Sequence, residues 1–230
     1  FDDAGRRFVC TNRNHVIPLV IPNRYFKRNP YLAPPPPVTD NHQAGGSARV
    51  FPLSKNKTLA ATHAGSFTAS CGVTVYRGSL LPAEYLGRIL TCEPTGNLIH
   101  EEVLTPVGGS FTWKPPREGA EFLASTDSWF RPVSMAHGPD GALYVVDMYR
   151  PEVEHPEWVP ADLKYRYNFD HRRDLGRIWR IVPDRESAPP KTQLSRASVG
   201  ELVGFLDHTD AWWRTTAQRL LFERQDRAAW

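Results

Sequence analysis

Arg131, Asp147, Tyr149 and Arg150 crowd into one short stretch of the chain, and their types suit the holding of a charged ligand. An arginine presents a planar fork of donors that meets a carboxylate at two points, which lysine cannot match. Arg131 and Arg150 are therefore the expected contacts of an anionic cofactor, with Asn12 and Tyr149 beside them. His63, His15 and His155 are the candidate general bases, because imidazole titrates near neutrality and can take a proton from a hydroxyl group. Glu154 adjoins His155 and could fix its tautomer. Asp147, Asp127 and Asn12 carry the oxygen atoms that calcium or hydroxyl groups prefer. A plainer reading stands beside these: an arginine among aromatics and acids is often a clasp, so Arg131 with Asp127 or Asp147 reads equally as a structural ion pair. Trp129, Trp158, Trp212 and Trp213 read as packing residues, and His137 and His208 receive no role.

A hairpin must position the arginine and the aspartate. Two apolar runs between Phe130 and Arg150 flank Pro139-Asp140-Gly141, where glycine supplies the positive φ that a tight turn needs. Arg131 lies ten residues before Gly141 and Asp147 six after it, so a hairpin closed there sets them side by side at its open end. The pattern recurs. Gly5-Arg6-Arg7-Phe8-Val9-Cys10-Thr11-Asn12, Gly87-Arg88-Ile89-Leu90-Thr91-Cys92-Glu93 and Gly141-Ala142-Leu143-Tyr144-Val145-Val146-Asp147 each run from glycine through a β-prone stretch to a polar residue. Phe67-Thr68 to Gly78 spans the same eleven steps as Phe130-Arg131 to Gly141, so Thr68 corresponds to Arg131. Asn12, Glu93 and Asp147 then end equivalent strands, with outer strands expected over 15–21, 97–105, 110–114 and 176–182. This reads as a mainly β chain holding about three C-terminal blades of a β-propeller over 1–183.

Composition agrees with that class. Twenty-one prolines, sixteen glycines and 11% aromatic residues favour many short strands over a helical bundle. A net charge of +3, spread along the chain, argues against a nucleic-acid surface. No apolar run approaches the roughly 18 residues that span a bilayer. Cys10, Cys71 and Cys92 lack C-x-x-C spacing, which speaks against a zinc or haem-attachment motif in these residues. They are compatible with one disulfide, Cys71 to Cys92, or with three thiols packed in strands, the second being favoured because free cysteine packs as a small apolar residue. The chain begins at Phe1 with no signal-like segment and reads as a fragment or processed form. Long connections are expected at 29–48, where Pro34 to Pro37 form an extended spacer, and at 151–174. Residues 184–196 read as a linker. From 197 to 230 a helical pair follows, with Ser198 and Glu201 as a capping box and Trp213, Ala217, Leu220 and Leu221 on one face, as at the start of a HEAT-like array.

Several motifs carry a resemblance: Phe8-Val9-Cys10-Thr11-Asn12-Arg13-Asn14-His15, His63-Ala64-Gly65-Ser66-Phe67-Thr68, Cys92-Glu93-Pro94 with Asn97-Leu98-Ile99-His100, and Ser125-Thr126-Asp127-Ser128-Trp129-Phe130-Arg131-Pro132. Gly138 to Arg150, Glu154-His155-Pro156, Gly176-Arg177-Ile178-Trp179-Arg180-Ile181 and Trp212-Trp213-Arg214 complete it. By these the chain resembles the bacterial family of membrane-bound dehydrogenase domain proteins. The resemblance implies a six-bladed propeller like that of soluble quinoprotein glucose dehydrogenases, followed by HEAT-like repeats and often by a c-type cytochrome domain. It implies export to the periplasm or cell envelope, a quinone cofactor of the PQQ kind with calcium, sugar or alcohol substrates, and a cytochrome c-type acceptor whose haem lies outside this chain. Glu101-Glu102 after His100 departs from the family pattern, which tends to carry a basic residue there, and so speaks against phosphate binding. Two other classes suit the same residues: a non-catalytic carbohydrate- or protein-binding scaffold, and a metal-dependent lactonase or esterase.

Overall fold

Glycine turns and alternating apolar runs close short antiparallel strands into sheets, and the chain is mainly β, with curled sheets and a few helices. The computed structural model describes residues 1–19, 21–32, 49–55, 65–153, 157, 159, 161, 164, 174–184 and 193–226. His63, His155, Glu154 and Trp158 lie outside the described residues. The first sheet pairs β1 (Arg7–Val9) with β2 (Ile17–Leu19), placing Phe8 opposite Pro18. The second runs β3 (Cys71–Val75), β4 (Ile89–Glu93), β5 (Leu98–Val107) and β6 (Ser110–Lys114) in chain order, with β7 (Leu123–Ala124) also on β5. The third orders β8 (Pro132–His137), β9 (Leu143–Asp147) and β10 (Arg177–Ile181) in the same way. Each sheet is a meander, and the expected turn is present: Gly141 has φ +76 and Gly138 N donates to Ala142 O at 3.0 Å.

Two compact units divide the chain. The first comprises Phe1–Val75, Arg88–Met135 and Val145–Trp179. Its interior includes Phe8, Val16, Val75 and Ile89, with Leu104 and Trp113 packed on them, and a second group of Val50, Phe67 and Leu98. β4 is buried throughout and β5 is buried over its first five residues, so both faces of these strands are covered. Successive side chains of a strand alternate between faces. Leu98, His100 and Glu102 therefore share one face of β5 and Ile99 and Glu101 the other, although all five are buried. Cys71 and Cys92 are register partners across β3 and β4, yet all three cysteines are free thiols, and burial pushes the Cys71 thiol up to about 12.

The second unit comprises Tyr76–Gly87, Ala136–Tyr144 and Arg180–Trp230. It holds α1 (Val199–Phe205) and α2 (Ala211–Arg224). The capping box at Ser198 and Glu201 is formed, each side chain bonding the other's backbone N–H. Leu202, Trp213 and Ala217 join Leu194 in the helical core, and Leu220 and Leu221 pack against them, because the apolar residues recur at helical spacing. Among the described residues no helix is long and apolar enough to cross a membrane.

Candidate functional site

The open ends of two hairpins carry the same bond. Arg131 N donates to Asp147 Oδ1 at 2.8 Å. In the earlier sheet Thr68 N donates to Glu93 Oε2 at 3.2 Å. The residue that leads into one strand thus ties its amide to the acid that ends the next, at both positions paired by the repeat. Asn12, in the first copy, is exposed and its backbone O accepts from Ser70 N at 3.0 Å.

The Arg131 side chain is held by the main chain. Its guanidinium donates to three main-chain carbonyls, Arg150 O at 3.1 Å, Pro94 O at 2.7 Å and Pro151 O at 2.7 Å. It clasps the end of β4 to the segment after β9. Asp147 is equally committed: Oδ1 also accepts Tyr149 N at 2.8 Å and Oδ2 accepts Trp179 Nε1 at 2.9 Å. Tyr149, at φ +47, lies under the Arg177 guanidinium at 3.5 Å, and its hydroxyl bonds the exposed Asp127. Arg150 N donates to Trp129 O, while its Nε is buried and meets no acceptor among the described residues.

Glu93 is wholly buried and its carboxyl is held up at about 7. Burial is the larger cause, and the donors Ala69 N and Thr68 N and Oγ1 offset only part of it. The folded pKa exceeds the unfolded one, so this group's contribution to stability is complete below about pH 4.5 and is lost as pH rises through about 7. Glu93→Gln, which mimics the protonated acid, is expected to flatten that fall. Urea denaturation across this window should show the variant gaining on the wild type by on the order of 2 kcal/mol between the acid and alkaline ends. Parallel pH profiles for the two proteins would refute the assignment.

A second constellation lies inside the same unit and joins His15 to residues that the reading of the sequence did not single out as ligands. His15 Nε2 is 2.9 Å from Glu102 Oε1, and His100 Nε2 is 3.0 Å from the same oxygen. His100 Nδ1 meets Glu121 Oε2 at 2.6 Å, and Glu121 Oε1 accepts Phe51 N at 2.8 Å. The His15 ring stacks on Phe67 at 4.3 Å between centroids, with the planes 5° apart. Its carbonyl accepts from Thr91 Oγ1 at 3.0 Å. Burial pulls His15 below its usual pKa despite the bond to Glu102. Burial pulls His100 the same way, but its bonds to Glu102 and Glu121 prevail and lift it to about 9. The signal that could have found this pair is His-x-Glu on a strand, which projects both side chains from one face.

On the opposite face of β5, Glu101 meets Arg88 at 2.7 Å and Arg117 at 2.6 Å, so the two consecutive acids serve separate networks. Residues 1–185 match a family described as Domain of unknown function (DUF7133). No curated protein and no solved structure matches the chain.

Proposed function

This chain belongs to the DUF7133 family, and we propose that it is part of a β-propeller whose strand ends bind a carboxylate-bearing redox cofactor in the oxidation of sugars or alcohols. The meander order of the three sheets and the repeated amide-to-acid bond support consecutive blades of one propeller. The observation that carries the binding reading is Arg150, whose Nε is buried with no acceptor among the described residues. A buried cationic donor lacking a partner is costly, and a ligand carboxylate would satisfy it.

A quinone of the PQQ kind would offer Arg150 a carboxylate. When bound, such a group would accept the hydride of the substrate. The residues of this chain would orient it, Arg150 by charge and the Tyr149 and Trp129 rings, 5.6 Å apart, by contact. Asp147 accepts three N–H donors, two on Oδ1 and one on Oδ2, so calcium there would share the carboxylate with these bonds. Export to the envelope and transfer of electrons to a c-type haem domain outside these residues accompany this reading.

One observation favours a second reading, a carbohydrate- or protein-binding scaffold: Arg131 and Asp147 are consumed within the wall. Titrating the full-length protein with pyrroloquinoline quinone, followed by intrinsic fluorescence and by dye reduction with a panel of sugars and alcohols, separates the two. Arg150→Ala is expected to weaken quinone binding about 10- to 100-fold, the loss of one charge-assisted contact. Absence of quinone binding by the wild type would leave the scaffold.

A further inference from the structure

We infer that His15, His100 and Glu102 bind one divalent transition-metal ion of the zinc class within the first compact unit, as a staple of the fold. The ligand atoms of these three residues lie within 4.8 Å of one another, and all three residues are buried. Glu102 Oε1 already sits between the two Nε2 atoms. Its other oxygen, Oε2, is buried and has no hydrogen-bond partner among the described residues. An anionic oxygen left unsatisfied in the interior is expensive, and a cation in the cleft between carboxylate and imidazoles removes the cost.

The surroundings are those of a ligand set. A metal-bound histidine characteristically gives its other nitrogen to a carboxylate, which fixes the tautomer and aims the ring. Glu121 stands in that position on His100 Nδ1, and Phe51 N holds Glu121 in turn. Phe67 holds the His15 ring from its face. On binding the ion, His100 would release the Nε2 proton it shares with Glu102, and the two charges of the ion would then balance the carboxylates of Glu102 and Glu121.

The donor chemistry selects the metal. Two imidazole nitrogens and a carboxylate suit zinc and its neighbours, whereas calcium and magnesium take oxygen ligands. The three residues supply three of the four positions that zinc takes in a tetrahedral site. All three residues are buried, so the ion would sit inside the unit and join the segment before β2 to β5. The inference is independent of the cofactor reading.

The test is equilibrium dialysis of the chelator-treated protein against zinc chloride, with metal counted by mass spectrometry, and visible absorption of the cobalt-loaded form. The wild type should bind one ion per chain and show the intense d–d bands of tetrahedral cobalt. Glu102→Gln should bind at least 100-fold more weakly. Glu121→Gln, which keeps every ligand, should loosen binding 10- to 100-fold. Arg150→Ala should bind like the wild type. Substoichiometric binding by the wild type, or an unchanged dissociation constant in folded Glu102→Gln, overturns the inference. Should Glu102→Gln fail to fold, Glu121→Gln and the cobalt spectrum decide it: unaltered affinity, or octahedral bands only, overturns it.

Discussion

Arg131→Met is expected to lower the unfolding free energy by about 3–4 kcal/mol, measured by chemical denaturation. Methionine preserves much of the side chain's bulk but removes the donors of three carbonyl groups, Pro94 O, Arg150 O and Pro151 O. Hydrogen bonds from a charged donor contribute about 1.5–3 kcal/mol each, and three that share one guanidinium fall short of additivity. Arg131→Lys keeps the charge, yet a single ammonium cannot span three acceptors in a planar fork, so it should recover only part of the loss. A variant within about 1 kcal/mol of the wild type would show that the clasp carries little of the fold. The same experiment bears on function. A cofactor-binding arginine leaves stability nearly intact when removed, whereas a clasp does not.

The next largest effect is expected at Asp210, where alanine should cost about 3 kcal/mol. Asp210 is fully buried and serves as the N-cap of α2, its Oδ1 accepting Trp212 N at 2.7 Å. Its Oδ2 accepts Ser79 N at 3.0 Å and Ser79 Oγ at 2.9 Å, joining the helical core to the connection before β4. Losing a cap alone costs about 1 kcal/mol, and the remainder comes from stranding the two Ser79 donors. Asp210→Asn separates the contributions: its amide oxygen can still cap the helix, but its NH2 faces a donor at Ser79. Thermal melts followed by circular dichroism should rank wild type above Asn above Ala. Equal midpoints for wild type and Asp210→Ala would overturn the account.

Features that rest on local spacing were legible in the residues. Pro139-Asp140-Gly141 closes its hairpin because the turn needs only the φ freedom of Gly141 and an acceptor at Asp140, whose Oδ1 takes Ala142 N at 3.1 Å. Ser198 and Glu201 form their box because the two partners are three residues apart. The apolar face of α2 follows from helical period alone. The correspondence of Thr68 with Arg131, and of Glu93 with Asp147, came from counting steps to a glycine, and the matching amide-to-acid bonds bear it out.

The partners of individual side chains were not legible. Nothing in the type of Arg131 announces that its acceptors are main-chain carbonyls at 94, 150 and 151, since every residue has a carbonyl and only packing selects three of them. His15 was singled out as a base, but its neighbours come from residues 67, 100 and 102, which the sheets bring together across long separations. Glu101 and Glu102 look alike in the chain. Strand alternation sends one to Arg88 and Arg117 and the other to two histidines.

The amino-acid sequence by itself determined the turns, the strand and helix segments, the helix cap and the internal repeat, because each depends on backbone preference and periodicity within about a dozen residues. Only the tertiary structure decided that Arg131 and Asp147 would be committed to partners within the first unit, that Arg150 Nε would find no acceptor among the described residues, and that two histidines and a glutamate would share one buried point. Those outcomes depend on which distant segments exclude water together, and a polar group cut off from water must take whatever partner the packing brings to it.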